Sequence, residues 1–138
     1  MKWFLVILFS VSNYSFGKIK YELVQDKLDI VWGMDFLDAN TILFTEKQGK
    51  IKLLDLKTKK ISVISGVPKV HKRGQGGLLD IKKHPNFKQN KKIYFTFSKK
   101  VSDGQTTVLA SAILTGDELK DVNLPPTIMS SLANTFTI

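Results

Sequence analysis

The sequence predicts an all-β fold built from two related four-stranded units, and three observations carry that prediction. Apolar and polar residues alternate with a period of two in several short runs, Gly, Asn and Asp turn signals separate those runs, and the runs recur in the same order at an interval of about 40 to 50 residues. No segment carries a helical stripe.

The first seventeen residues, MKWFLVILFSVSNYSFG, hold one lysine, an apolar run from Trp3 to Phe9, and small residues at Ser15 and Gly17. That is the layout of a signal peptide, and cleavage is expected after Gly17. The run is shorter than the roughly 18 residues that cross a bilayer, so no stable membrane span is expected after cleavage and the mature chain is expected to be secreted or periplasmic. The chain has no cysteine, which excludes disulfide staples and thiolate chemistry.

After a first candidate strand at Tyr21 to Val24, Trp32, Met34 and Phe36 alternate with Gly33 and Asp35 and read as a core stripe. Thr41 to Glu46, Lys50 to Leu54 and Lys60 to Ile64 follow, with turn signals at Asp38-Ala39-Asn40 and Gln48-Gly49. The second unit echoes the first. Gly77 to Ile81 answers Gly33 to Leu37, Lys92 to Thr96 answers Thr41 to Thr45, and Thr107 to Leu114 answers Lys50 to Leu54. A repeat of this length with four short antiparallel strands is the pattern of propeller blades; a single eight-stranded β-sandwich also accommodates it. From Asp121 onward the sequence DVNLPPTIMSSLANTFTI has no basic residue, and Pro125-Pro126 falls where a fourth strand is expected. Proline cannot donate to a ladder, so that strand is expected to be interrupted or to form an edge. The domain reading is therefore a signal peptide at 1–17, blades at 18–122 and a divergent or truncated tail at 123–138.

The formal charge is +9, and Arg73 is the one arginine among 21 basic residues. The lysines gather in KTKK (57 to 60), KK (82 to 83), KQNKK (88 to 92) and KK (99 to 100), mostly at expected turns, and read as solvated loop charge. A nucleic-acid surface mixes arginine with exposed aromatics, so nucleic acid is not expected as a partner.

The densest motif is GQGGLLDIKKHPNF, residues 74 to 87. A strand and not a helix is expected after its glycines, which separates it from a nucleotide-binding GxGxxG. Glycines there permit a tight turn or close approach of backbone to a ligand. Taken with VWGMDFLDANTILFTEKQGKIKLLDL (31 to 56), GVPKV (66 to 70) and TTVLASAILTGDELKDV (106 to 122), this motif closely resembles the start of the soluble glucose/sorbosone dehydrogenase family. That family includes pyrroloquinoline-quinone-dependent aldose sugar dehydrogenases of bacterial periplasms. The resemblance runs from about residue 28 to 122 and stops at the tail.

It implies a six-bladed propeller, of which this sequence holds about two blades, with the quinone at the top of the central channel and calcium bound nearby. There the anomeric hydroxyl of an aldose is oxidised to a lactone by hydride transfer. The family's general base is a histidine in an HxGxR-like segment beyond the second blade, followed by the arginine and lysine contacts to the quinone and by the calcium ligands. Neither His71 nor His84 matches that segment. The resemblance thus assigns no catalytic, cofactor or metal residue here, and implies a fragment that binds neither quinone nor calcium and is inactive alone. One position carries over: the glutamine of the family's GQxGLL segment contacts sugar at the channel mouth, and here it is Gln75. Asp80 departs from the small residue that relatives commonly have. The other reading is a non-catalytic, propeller-like module that binds carbohydrate or protein. On either reading, open blade edges favour self-association.

The remaining polar residues have structural readings. His84 is expected to hydrogen-bond the HPNF turn over Phe87, His71 to lie in a loop, Glu46 to pair with Lys47 or cap a turn, and Asp35 and Asp80 to share a structural hydrogen bond.

Overall fold

Among the described residues the alternating runs fold into eight strands: β1 (Val31–Phe36), β2 (Thr41–Glu46), β3 (Lys50–Asp55), β4 (Ile61–Ile64), β5 (Leu78–Lys83), β6 (Lys92–Val101), β7 (Gly104–Thr115) and β8 (Glu118–Asn123). A single helical turn, α1 (Phe87–Asn90), lies between β5 and β6. The structure, a computed structural model, describes residues 19–102 and 104–125. The expected signal peptide and the tail from residue 126 lie outside the described residues.

Each sheet is an antiparallel meander, in the orders β1-β2-β3-β4 and β5-β6-β7-β8. The first strand of the second sheet packs on β1 and β2, and a parallel bridge from Ser65 to Glu118 joins the outer edges. Matching strands therefore lie over one another, which is how two neighbouring propeller blades sit. The core lies between the sheets. Leu43, Ile51 and Ile64 from the first meet Ile81, Ile93, Phe95 and Phe97 from the second. Ala110 and Ala112 sit opposite Phe95 and Ile93 in the ladder, and these small residues leave room for the larger side chains beside them.

Polar groups fasten the same seam. Thr45 is fully buried; its hydroxyl donates to the Leu79 carbonyl (2.5 Å) and accepts from the Gly33 N–H (3.0 Å). Asp35 accepts from the Lys83 N–H (3.0 Å), while the Lys82 and Lys83 ammonium groups donate to the carbonyls of Met34 and Leu37. This lysine pair is thus part of the contact between sheets and not merely loop charge.

Four expectations require correction. The Trp32, Met34, Phe36 stripe is not core: these side chains are 45, 45 and 47% exposed, and Gly33 is the buried residue of β1. Met34 and Phe36 pair with Phe44 and Ile42 on the face turned away from the second sheet, beyond an irregularity between Val31 and Met34. Alternation grouped Met34 with Phe36, but across the irregularity Val31 and not Trp32 lines the outer face with Met34, and a period of two does not say whether anything covers a face. Tyr21 to Val24 forms no ladder; with Leu28 this segment lies against that outer face and encloses an apolar cavity of about 280 Å³. The fourth strand of the second unit, β8, ends at Asn123, ahead of Pro125, so Pro125 lies beyond it and does not interrupt it; of the two expected outcomes the strand forms the edge of its sheet. Finally, HPNFKQN contains the helical turn α1, closed by Lys91 in a left-handed conformation.

Candidate functional site

The loop entering β5 carries the one residue assigned to substrate, and its backbone is tied down from several directions. The Arg73 carbonyl accepts from Gly76 N–H (2.8 Å) and from the Gln105 side chain of β7 (3.4 Å). The Gly74 carbonyl accepts from the Lys47 ammonium (2.8 Å). Ser98, buried near the end of β6, receives the Gly77 N–H on its hydroxyl (3.2 Å), donates its own N–H to the Gly77 carbonyl (2.8 Å), and accepts the His71 N–H (2.7 Å). Leu78 N–H then bonds to the Lys47 carbonyl (3.1 Å), so the loop is joined to the end of β2 as well.

Two of the glycines are there for identifiable reasons. Gly74 adopts φ of +57°, in the left-handed region where a side chain is strained. At Gly77 an added Cβ would lie 2.5 Å from the Lys47 carbonyl oxygen, so only hydrogen lets the strand come this close.

At the tip of this braced turn Gln75 is exposed, and none of the described hydrogen bonds uses its amide. An amide offers two donors and an acceptor, the complement of a sugar's vicinal hydroxyls. Trp32 lies at the same end of the sheets, with the Lys47 ammonium 5.8 Å from its ring centroid. Ammonium groups at this distance are attracted to the electron-rich indole face.

The histidines behave as structural residues. His84 Nδ1 accepts the Asn86 N–H (3.0 Å) and lies 3.0 Å from the Asn90 amide nitrogen; its ring rests on Tyr94, and Phe87 is buried. His71 is in a loop and lines a cavity of about 420 Å³ with Lys69, Val70, Lys99 and Lys100. Glu46 pairs with Lys52 (2.7 Å) and not with Lys47, and accepts the Asp29 N–H. The pairing follows from what each lysine reaches: Lys52 lies on β3 beside Glu46, whereas Lys47, in the turn after β2, extends to the Gly74 carbonyl and the Trp32 ring. Asp35 and Asp80 each have a structural bond but do not share one, because Asp80 caps the N–H of Ile81 (2.9 Å). Sequence reasoning missed Lys47, Ser98 and Gln105 as the loop's supports. Lys47 stood in view in the TEK run; Ser98 and Gln105 carry no local signal, since their role exists only once β6 and β7 pair.

Among the described residues no group of three or more His, Asp or Glu side chains is placed to hold a metal ion. No helix among them is long and apolar enough to cross a membrane.

The model of the family described as glucose/sorbosone dehydrogenase matches residues 28–130. The aldose sugar dehydrogenase of Escherichia coli is 32% identical over 124 residues, which are 87% of this chain and 33% of that protein. A solved structure titled glucose dehydrogenase superposes with a TM-score of 0.71 at 30% identity, covering 75% of this chain and 33% of its own. The quinone-bound aldose sugar dehydrogenase of Streptomyces coelicolor has the same fold, with a TM-score of 0.67 at 22% identity over 75% of this chain and 31% of its own. The chain thus spans about a third of the length of the relatives it matches.

Proposed function

Because the chain belongs to the glucose/sorbosone dehydrogenase family, we propose that it supplies two blades of an exported, quinone-dependent aldose dehydrogenase and that Gln75 contacts the sugar. The observation that carries this reading is the Gln75 amide itself, exposed and unengaged on a loop whose Arg73 and Gly74 carbonyls and Gly76 and Gly77 N–H groups are held. A surface glutamine on a floppy turn would lose entropy on gripping a ligand; a braced one has already lost most of it.

When bound, the quinone accepts the hydride removed from the sugar carbon. The resemblance assigns the base, the quinone contacts and the calcium ligands to other blades, and His84 Nδ1 is engaged within its own turn, where it accepts the Asn86 N–H. The work of these two blades is therefore binding and orientation: holding a sugar hydroxyl at the mouth while a base and cofactor site from other blades act on it.

Dye-coupled oxidation of aldoses, with quinone and calcium supplied, tests the reading. The 138-residue chain alone is expected to give no turnover; turnover would overturn the assignment of the base to other blades. In the polypeptide or complex that provides those blades, Gln75→Ala is expected to lower kcat/KM for glucose about tenfold, the effect of losing one neutral hydrogen bond. An unchanged kcat/KM would remove Gln75 from the site.

A further inference from the structure

Lys47 occupies an unusual position between the two sheets. It follows β2 of the first sheet, yet each part of it engages something else. Its N–H donates to the Ile30 carbonyl (2.8 Å), its carbonyl accepts from Leu78 of β5, and its stem lies against Gly77, where an added Cβ would fall 2.7 Å from Lys47 Cγ. Its ammonium bonds the Gly74 carbonyl at 2.8 Å and faces the Trp32 ring at 5.8 Å. Neither of the ion pairs found among the described residues involves it. The ammonium is therefore held by the Gly74 carbonyl dipole of the loop before β5 and by the aromatic face of Trp32 in β1, directly beside Gln75.

Resting on the aldose reading above, we propose that Lys47 is the positioning residue of the Gln75 loop and that it sets Gln75 beside Trp32 as one two-sided sugar subsite. The chemistry of the two sides is complementary. Sugars present C–H faces that stack on aromatic rings and hydroxyl edges that bond to amides; Trp32 is 45% exposed near the start of β1, Gln75 is exposed on the loop before β5, and the Lys47 ammonium spans from the Trp32 ring to the Gly74 carbonyl beside Gln75. A glycine-rich turn has many accessible conformations, and a charge-assisted bond to its tip selects one of them. The ligand class is a neutral aldose. Lys47 touches no reacting atom; it acts through the loop.

The experiment uses the full chain with Trp3→Phe, which leaves Trp32 as the one remaining tryptophan of two. Lys47→Met keeps the stem and removes the charge, and Lys47→Arg restores it. Hydrogen exchange at the Gly76 and Gly77 amides is expected to accelerate about tenfold in Lys47→Met and to return to within about threefold of the parent in Lys47→Arg. The buried amides of Phe95 and Phe97 should be unchanged, which shows that the variant is folded. Glucose is expected to change Trp32 emission saturably, with the half-saturating concentration raised about tenfold by Lys47→Met and by Gln75→Ala. Equal loop exchange in Lys47→Met and parent overturns the positioning role. Loop exchange that responds to Lys47 while Trp32 stays blind to glucose overturns the subsite, and dye-coupled turnover in the complete assembly shows separately whether the aldose reading survives.

Discussion

Phe44 of β2 and Phe95 of β6 stand in nearly the same words, Leu-Phe-Thr and Tyr-Phe-Thr, at matching places in matching sheets. Their surroundings differ. The Phe95 face is closed by the first sheet, and Ile81, Ile93 and Phe97 around it are at most 1% exposed. Among the described residues, the Phe44 face has Glu22 to Gln25 and Leu28 against it; Phe44 itself is buried, but Met34, Phe36 and Val63 on that face are 45, 47 and 55% exposed. One pattern thus has two outcomes. A blade sequence encodes a face that needs a cover, and the cover is supplied by whichever sheet packs there, so burial is a property of the pair of sheets and not of the strand.

The largest test of that contrast exchanges one phenylalanine on each face. Phe95→Ala is expected to cost about 3–5 kcal/mol, the transfer loss plus the cavity left in a closed seam. Phe36→Ser, on the open face, is expected to change stability by no more than about 0.5 kcal/mol. Urea unfolding of the two variants measures both, and similar losses would mean that the outer face is covered in solution, for instance by a second copy of the chain. Concentration-dependent sedimentation then distinguishes that case, since Phe36→Ser would shift such an association toward monomer.

A smaller test concerns the polar side of the seam. Thr45→Val keeps the shape but removes the hydroxyl that joins Gly33 of β1 to Leu79 of β5, leaving a carbonyl without that donor; the expected loss is about 1–3 kcal/mol. Thr96, the matching residue of the second sheet, accepts the Asp80 N–H within its own blade. Thr96→Val is expected to cost less, and urea midpoints of the pair rank them. Equal losses would show that the bond between sheets contributes no more than one within a sheet.

The strand content and the repeat were legible because period-two alternation and turn residues are local signals. So were the first three equivalent strands of each unit, since Gly33 and Gly77 mark the same step, whereas β8 was expected further along, at the prolines. What escaped was relational. Nothing near Trp32 or Phe36 states which face the neighbouring sheet will take, and nothing near Ser98 or Gln105 states that a loop some twenty to thirty residues earlier will rest on them. The family resemblance pointed to the Gln75 loop but not to its supports, because a motif is local in the sequence whereas its braces are whatever strand ends lie within reach. Pro125 pointed correctly to an edge but not to its place: the β7–β8 hairpin turns tightly enough to finish the fourth strand before the proline.

The smallest expected effect separates the two outer hairpins. The β3–β4 turn is organised by Asp55, whose carboxylate accepts the N–H groups of Thr58 (2.8 Å) and Lys57 (2.9 Å); the β7–β8 turn at Thr115 and Gly116 is made with a left-handed glycine instead. The Thr58 N–H is the main cause holding the Asp55 carboxyl below its ordinary value of 3.8, although partial desolvation works against it. A folded pKa lying below the unfolded one means that the carboxylate stabilises the folded chain above about pH 4, and that this contribution disappears as pH falls through the lowered value. Thermal midpoints of the parent chain and of Asp55→Asn should therefore differ slightly at pH 6, with the parent higher, and converge below pH 4. A gap that persists unchanged into acid would assign the turn's stability to the shape of the side chain and not to its charge, and would place both hairpins on the same footing.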